Sequence, residues 1–374
     1  MRTVMVATHP PIECGIGTYA QYLSDALRKQ GNEVFTVSPF GAKGEWVLPC
    51  YSTESMHVGI EIFSVVSRLT PDVLHVQHEF GLYGPRPGVN VLDLFYRCRR
   101  AGLPVVTTLH TVREKLLPEE DSVLREIVRE TSAAVVHEYE HKEILAESYC
   151  EADKIHVIPH GAREMTEVGD ARKKIGVEGK KVILLCGYLR ETKRYDKVVK
   201  VFPAVAEAVE DAVLLVAFKT RSVDHPAYQR ELYRMVEELP VRDRIVLLYG
   251  QFPQEIFDTI LSASDVVPLP YEAGAQSGIM AHCFAFRKPV VTSGLKAFRS
   301  WVEQSGGGLV AESDEELAVH LIRILKDDNL RKTLQGNIAK FVTEKISWRV
   351  VAGKYIKVYK KCAWRPSRHS RYFG

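Results

Sequence analysis

The sequence predicts an α/β protein with two doubly wound domains, each a parallel sheet covered by helices on both faces. Short β-rich segments alternate with amphipathic helical segments along nearly the whole chain. The alternation pauses once, at the polar stretch GAREMTEVGDARKKIGVEGK, and then resumes. A chain of 374 residues is also too long for one ordinary core. We therefore place the domain boundary near residue 165, with domains at 1–165 and 166–345.

The first series of elements begins at the N-terminus. Its strands are short, apolar and rich in β-branched residues, and its helices repeat apolar positions every three or four residues. The first helix ends at Gly31, a typical stop signal. In chain order the series reads TVMVAT (strand), GTYAQYLSDALRKQG (helix), EVFTVSPF (strand), IEIFSVVSRL (helix), DVLHVQH (strand), GVNVLDLFYRCRRAG (helix), PVVTTLH (strand), AAVVHE (strand), HKEILAES (helix) and KIHVIPHG (strand).

The second series follows the polar stretch and has the same character. Its strands are almost continuously apolar, which is typical of parallel strands buried on both faces. In chain order it reads KVILLCGY (strand), DKVVKVFPAVAEAV (helix), AVLLVAF (strand), YQRELYRMVEEL (helix), RIVLLYG (strand), PQEIFDTILSAS (helix), DVVPLP (strand), PVVTS (strand), GLVA (strand) and closing helices.

Composition excludes several functional classes. The net charge of +3 is too small to indicate a nucleic-acid-binding protein. The seven cysteines show no zinc-site spacing, and we expect them to be reduced thiols of a cytoplasmic protein. The N-terminus lacks a long enough apolar stretch for a signal peptide, and no run of about 18 apolar residues predicts a membrane span.

Ligands of parallel sheets bind beyond the carboxyl ends of the strands, so the loops after strands are the places to look for a site. In the first such loop, Gly15, Gly17 and Ala20 form a G-x-G-x-x-A pattern that opens a helix. About seven residues separate it from the strand, and the second strand ends without an acidic residue. A dinucleotide-binding dehydrogenase is therefore disfavoured, and a helix N-terminus facing an anion or a sugar is preferred.

Other polar residues follow later strands. His110 ends the segment PVVTTLH, and Gln77, His78 and Glu79 lie at the end of the strand DVLHVQH, with Glu79 directly after it. In the second series, Arg190 and Lys193 lie between a strand and a helix, where two cations can hold a diphosphate. A core histidine and a solvated loop are the alternative interpretations.

The stretch Ser264–Val291 combines a strand end, a single acid and small residues before a helix. Glu272 can accept hydrogen bonds from two sugar hydroxyls. Ser277 and Gly278 stand at the expected helix N-terminus, where a hydroxyl and free N–H groups can bind a phosphate. A diphosphate site beside a polyol site describes a nucleotide sugar.

In order and spacing, these loops resemble the retaining glycosyltransferases of family 4, which have the GT-B fold. The motifs are the glycine loop, HVQHE, TLHT, VIPHG, GYLRETKR, PYEAG with KPVV, and the closing SWRVVAGKYIKVY. The resemblance implies two Rossmann-like domains facing across a cleft. It also implies that residues 346–374 form a helix that crosses back to the N-terminal domain, followed by a basic tail.

The resemblance implies roles for particular residues. His110 would contact the donor sugar, Arg190 and Lys193 the diphosphate, and Glu272 the sugar hydroxyls, which makes these four the expected catalytic set. The donor-binding set comprises Gly15, Gly17, Gly274, Gln276, Ser277 and Gly278. The acceptor-side candidates are Thr18, Gln77, His78 and Glu79. No metal ligand and no cofactor are implied.

The chain departs from the family pattern at three places. The second glutamate of the family's E-x7-E motif falls on Met280, as in the subset that carries QSG in this turn. Tyr188 stands where an arginine is usual, and the strand LLVAFKT lacks its usual following glycines. A sugar-nucleotide epimerase of the same fold and an inactive nucleotide-sugar-binding module are therefore kept as alternatives.

The expected activity is metal-independent, retaining transfer of a hexosyl unit from a UDP- or GDP-sugar to an acceptor hydroxyl. The acceptor would be a sugar or a lipid-linked sugar. A basic tail with no acid after residue 354, together with the segment REKLLPEEDSVLREIV, also suggests peripheral contact with a membrane.

Overall fold

The computed structural model describes residues 1–85, 87–219, 226–250, 252–273 and 278–363. It divides into two compact units. Unit 1 is Met1–Gly161 joined by the helix that starts at Trp348, and unit 2 is Ala162–Ser347. These divisions lie a few residues from the boundaries expected at 165 and 346.

Unit 1 contains a seven-stranded parallel sheet in the order β3-β2-β1-β4-β5-β6-β7. The order reverses between β1 and β4, so their carboxyl ends form the switch point at which α/β sheets bind ligands. The strands are β1 Arg2–Val6, β2 Glu33–Pro39, β3 Val47–Tyr51, β4 Val73–His78, β5 Val105–Leu109, β6 Ala133–Val136 and β7 Ile155–Val157. The helices are α1 Gly15–Lys29, α2 Val58–Leu69, α3 Leu92–Arg100, α4 Pro118–Glu130 and α5 Tyr139–Ser148, with α14 Trp348–Ala363 from the end of the chain.

Unit 2 contains two parallel three-stranded ladders, β10-β9-β8 and β11-β12-β13. A parallel bridge between Ile183 and Val266 makes β8 and β11 neighbours. The strand order therefore reverses between β8 and β11. The strands are β8 Lys181–Tyr188, β9 Ala212–Lys219, β10 Ile245–Tyr249, β11 Val267–Leu269, β12 Val290–Thr292 and β13 Gly308–Val310. The helices are α6 Ala171–Ile175, α7 Tyr195–Ala208, α8 Pro226–Glu237, α9 Gln254–Ala263, α10 Gly278–Ala285, α11 Lys296–Ser305, α12 Asp314–Lys326 and α13 Asp328–Phe341.

The last helix, α14, completes the core of unit 1, as expected. It buries Val351, Tyr355 and Tyr359 against the face of α1 that carries Tyr19 and Leu23. Each large apolar side chain buried in this way contributes about 1.5–3 kcal/mol. The helix is therefore a structural part of unit 1.

The helix α4 also packs into unit 1. Its residues Val123, Leu124 and Ile127 are buried in the core. Most of the apolar face of the segment REKLLPEEDSVLREIV is therefore buried inside the protein. The segment no longer supports a membrane contact. The basic tail after residue 363 lies outside the described residues.

Candidate active site

The two glycines of the first loop have different surroundings. Gly15 begins α1, is exposed, and has no atom near the position of a Cβ. A Cβ on Gly17 would lie 3.1 Å from Thr8 Oγ1 and 3.2 Å from the Thr8 backbone. Gly17 is therefore needed for close packing of α1 on the end of β1, and only Gly15 lies open to a ligand.

His110 follows β5, next to the switch point of unit 1. Its Nε2 lies 2.8 Å from Oε1 of Gln77, the second-last residue of β4. Burial, followed by the neighbouring His137, His160, His75 and His78, lowers the pKa of His110 well below its ordinary value. The imidazole is therefore neutral at pH 7.

Only some of the acceptor-side candidates are accessible. Gln77 is 0% exposed and His78 is 1% exposed, so their side chains present no surface to an acceptor in this structure. The ring of His78 packs edge-on against Phe80. Glu79, which accepts a hydrogen bond from Thr111 Oγ1, and Thr18 remain partly exposed.

A group of aromatic rings surrounds Tyr19 of α1 in unit 1. Ring centroids of His110, His137, His160 and Trp348 lie 5.0–5.3 Å from that of Tyr19. Burial lowers the pKa of His137 to about 3 and that of His160 to about 4. The sequence analysis did not single out this group, because its members come from distant segments.

In unit 2, the loop after β8 brings Lys193 to the switch point. Gly187 has a φ of +111°, which favours glycine, and a Cβ there would lie 3.1 Å from Lys193 Nζ and 3.2 Å from Ile279 Cγ1. Lys193 and the first turn of α10 thus lie against the same glycine. An ammonium group and a helix N-terminus side by side favour an anionic ligand.

The amine of Lys193 makes cation–π contacts with two tyrosine rings. Its Nζ lies 5.2 Å from the ring centroid of Tyr271 and 5.8 Å from that of Tyr195. Burial, opposed by Cys186 and assisted by the nearby Arg190, lowers the pKa of Lys193 to about 8. Arg190 itself is exposed at the start of the loop.

Glu272 lies beside the same loop and is held there by two contacts. Its backbone N–H donates to the Thr192 carbonyl oxygen at 2.9 Å, and Arg194 Nη1 donates to its Oε2 at 3.1 Å. The Glu272 side chain is 66% exposed. Glu272 and Lys193 therefore occupy adjoining turns at the ends of β11 and β8.

Arg194 was missed in the sequence analysis. It has a φ of 48°, a left-handed conformation that is uncommon for arginine. This conformation directs its guanidinium to both Glu272 and Asp196. Its place directly after Lys193 in the sequence was the only available signal.

Of the remaining donor-side candidates, only Gly278 lies among the described residues. Gly278 begins α10, as expected, whereas Gly274, Gln276 and Ser277 lie outside the described residues. Met280 is 2% exposed and packs in the core of unit 2. The position of the family's second glutamate is thus filled by an apolar side chain.

The described ranges contain neither a metal-binding cluster nor a membrane-spanning helix. Between residues 1 and 363, leaving out the gaps given above, no group of three His, Cys, Asp or Glu side chains is arranged to hold a metal ion. Among the helices of the same ranges, none is long and apolar enough to cross a membrane.

Comparisons with known proteins agree with this arrangement. A family described as "Glycosyltransferase Family 4" matches residues 14–163, and "Glycosyl transferases group 1" matches residues 168–341. The chain is 20% identical to alpha-D-kanosaminyltransferase of Streptomyces kanamyceticus over 286 residues, which is 70% of this chain and 72% of that protein. It is 29% identical to an uncharacterized glycosyltransferase of Methanocaldococcus jannaschii over 195 residues, which is 50% of this chain and 47% of that protein.

Solved structures share the fold at low sequence identity. Sucrose-phosphate synthase from Thermosynechococcus elongatus superposes with a TM-score of 0.77 at 16% identity, covering 96% of this chain and 98% of that one. Anabaena HepE in complex with UDP-glucose gives a TM-score of 0.73 at 14% identity, covering 96% and 100%. These neighbours show the fold, and the two family matches, which together span most of the chain, show that this protein belongs to the group 1, family 4 glycosyltransferases.

Proposed function

We propose that this enzyme transfers a hexosyl unit from a UDP- or GDP-sugar to an acceptor hydroxyl with retention of anomeric configuration and without a metal ion. The acceptor in this proposal is a sugar or a lipid-linked sugar. The observation that carries the proposal is the pairing of Lys193 with the N-terminal turn of α10 at the switch point of unit 2, next to the carboxylate of Glu272.

This arrangement supports a nucleotide sugar as the donor because it offers two kinds of recognition side by side. Lys193, Arg190 and the first N–H groups of α10 suit a diphosphate. Glu272 is a hydrogen-bond acceptor at an exposed position and suits sugar hydroxyls. The similarity to Anabaena HepE, whose structure contains UDP-glucose, supports a UDP-sugar in particular.

The proposed chemistry follows from where charge develops. As the bond between the anomeric carbon and the diphosphate oxygen breaks, negative charge grows on that oxygen, and the Lys193 ammonium stabilises it. The acceptor oxygen then bonds to the same face of the anomeric carbon. Its proton passes to the departing diphosphate oxygen, so no protein base is required. His110 contacts the sugar in this proposal, and Arg194 holds Glu272 in place.

The experiment is a thermal-shift panel of UDP-glucose, UDP-N-acetylglucosamine, GDP-mannose, UDP and GDP, each with and without EDTA. A ligand bound to the folded state stabilises it by RT ln(1 + [L]/Kd), which is about 2.7 kcal/mol at 100 times Kd. We expect one nucleotide sugar and its nucleoside diphosphate to raise Tm, with no effect of EDTA.

The outcomes separate the alternatives. Stabilisation without subsequent transfer to any acceptor, and without epimerised sugar, would leave an inactive binding module. No stabilisation of a folded protein by any member of the panel would contradict the donor assignment. Loss of the shift in EDTA would contradict metal independence alone.

A further inference from the structure

The side chain of Gln77 connects His110 to a buried polar network in unit 1. Its amide nitrogen lies 3.2 Å from the Sδ atom of Met5 and 3.1 Å from Nε2 of His75. Its Oε1 lies 2.8 Å from Nε2 of His110. Both amide hydrogens are thus directed away from His110, and only the carbonyl oxygen faces it.

This arrangement decides where the hydrogen of each neutral imidazole sits. Gln77 Oε1 can only accept, so His110 carries its hydrogen on Nε2 and donates it. His75 Nε2 faces the Gln77 amide N–H at 3.1 Å, which can only donate, and the Thr108 hydroxyl at 2.8 Å. This nitrogen therefore accepts, and the hydrogen of His75 is on Nδ1. From there it is donated to the hydroxyl oxygen of Tyr359 in α14, 2.6 Å away.

The other ring nitrogen of His110 is therefore a lone-pair acceptor. Across the described parts of the chain, no hydrogen bond is made to Nδ1 of His110, and the residue is partly exposed. Such a nitrogen accepts a hydrogen bond from a hydroxyl, and it repels a carboxylate, which has no hydrogen to donate.

We propose that Gln77 is a positioning residue that fixes the His110 tautomer with the hydrogen on Nε2, so that the sugar group bound at Nδ1 is a hydroxyl and not a carboxylate. This inference rests on the proposed function, in which His110 contacts the donor sugar. It assigns the donor to neutral hexoses and not to hexuronic acids.

Ring-nitrogen NMR of the full chain labelled with ¹⁵N-histidine tests the tautomer directly. The His110 signals are identified by their loss in His110→Gln. We expect a protonated Nε2 and a bare Nδ1 in the free enzyme. In Gln77→Met we expect both tautomers. A wild-type His110 with its hydrogen on Nδ1, or a wild-type imidazolium, would overturn the proposal.

Sugar selection tests the consequence. We expect UDP-glucose to be favoured over UDP-glucuronate by tenfold or more, which is the effect of an unpaired buried acceptor, roughly 10-fold to 100-fold. In Gln77→Glu, the carboxylate would hold His110 as a cation, and the preference should shrink at least threefold. Equal use of the two donors by the wild type would contradict the proposal.

Two further measurements distinguish a positioning role from a structural one. Gln77→Met should lower kcat/KM by roughly threefold to tenfold while the Kd of UDP is unchanged. Gln30→Met is the matched control, because Gln30 directly follows the C-terminal end of α1 and donates a hydrogen bond to the Arg349 carbonyl oxygen, not to a histidine. If no nucleotide sugar binds, the proposed function fails, and the tautomer measurement still decides the role of Gln77.

Discussion

Lys193 is the side chain of unit 2 that we expect to contribute most to kcat. Lys193→Ala should lower kcat by roughly 10²–10³, because it removes one charged donor from the developing oxyanion. Lys200→Ala is the matched control, since Lys200 is an exposed lysine of α7 that contacts Asp196 at 3.4 Å. A Lys193→Ala enzyme within threefold of the wild type would show that the diphosphate binds elsewhere.

The lowered pKa of Lys193 predicts how donor affinity changes with pH. The free amine has a pKa of about 8, and a bound diphosphate favours the charged form and raises that pKa. Affinity should therefore be constant below pH 8 and fall as pH rises above it, by up to about tenfold per unit. The phosphate groups, with a pKa of about 6, are already ionised above pH 8. Isothermal titration with UDP from pH 7 to 9.5 measures the slope, which should vanish in Lys193→Ala.

Glu272 should contribute to binding of the sugar and not of the nucleotide. Glu272→Gln is expected to lower kcat/KM by roughly 10-fold to 100-fold, since hydrogen bonds to charged groups are stronger than those to neutral ones. The Kd of UDP should change less than about twofold in the same variant. Glu191→Gln, an exposed acid of the adjacent turn, provides the control. Equal losses for UDP and for the sugar donor would place Glu272 on the diphosphate instead.

The sequence was sufficient to predict that Lys193, Arg190, Glu272 and His110 lie in loops after strands, because polar residues directly follow apolar strand segments there. Side-chain direction was not predictable. Gln77 looked like a surface contact, because period-two alternation cannot tell which buried partner a polar side chain meets at the end of a strand. Arg194 was missed because its contacts depend on a positive φ that no local pattern predicts.

At the scale of an element, the entry of α1 depends on one close approach. Gly17→Ala should destabilise the protein by about 1–3 kcal/mol, because the added methyl group presses on the Thr8 backbone 3.2 Å away. Gly15→Ala begins the same helix and meets no atom within 4 Å, so its stability should change little. Urea denaturation of both variants makes the comparison. Equal stabilities would show that α1 can shift to accommodate the methyl group.

Most elements were predictable, because buried parallel strands and amphipathic helices have strong periodic signals. The strand β3 was not, since it contains Pro49 and pairs only with β2 at the sheet edge. Proline is tolerated at an edge because one side of the strand needs no ladder hydrogen bond. A pattern that excludes proline from strands overlooks such an edge.

At the scale of the whole molecule, buried histidines should make unit 1 sensitive to acid. Burial lowers the pKa of His75 and His137 to about 3 and of His78 and His160 to about 4. Histidines of the unfolded state have a pKa of about 6.5, so between the folded-state and unfolded-state pKa values the unfolded state binds more protons. Stability is therefore full above about pH 6.5 and decreases as pH falls toward 4.

Hydrogen exchange followed by peptide mass spectrometry between pH 7 and 5 locates this effect. Peptides of β4, β5 and β6 should lose protection before those of β8 and β9. Carboxylates with ordinary pKa values titrate mostly below this window, so they do not confuse the result. Earlier loss of protection in unit 2 would contradict the prediction.

The packing of α14 on α1 has a consequence for how the protein is made. A ribosome delivers residues in order, at about 5–20 per second. Unit 2 is one uninterrupted stretch, Ala162–Ser347, whereas the core of unit 1 requires Tyr355 and Tyr359. The first half of the polypeptide must therefore wait, with its α1 face uncovered, until translation has passed through all of the second half. The unit that is synthesised first is the one that finishes folding last.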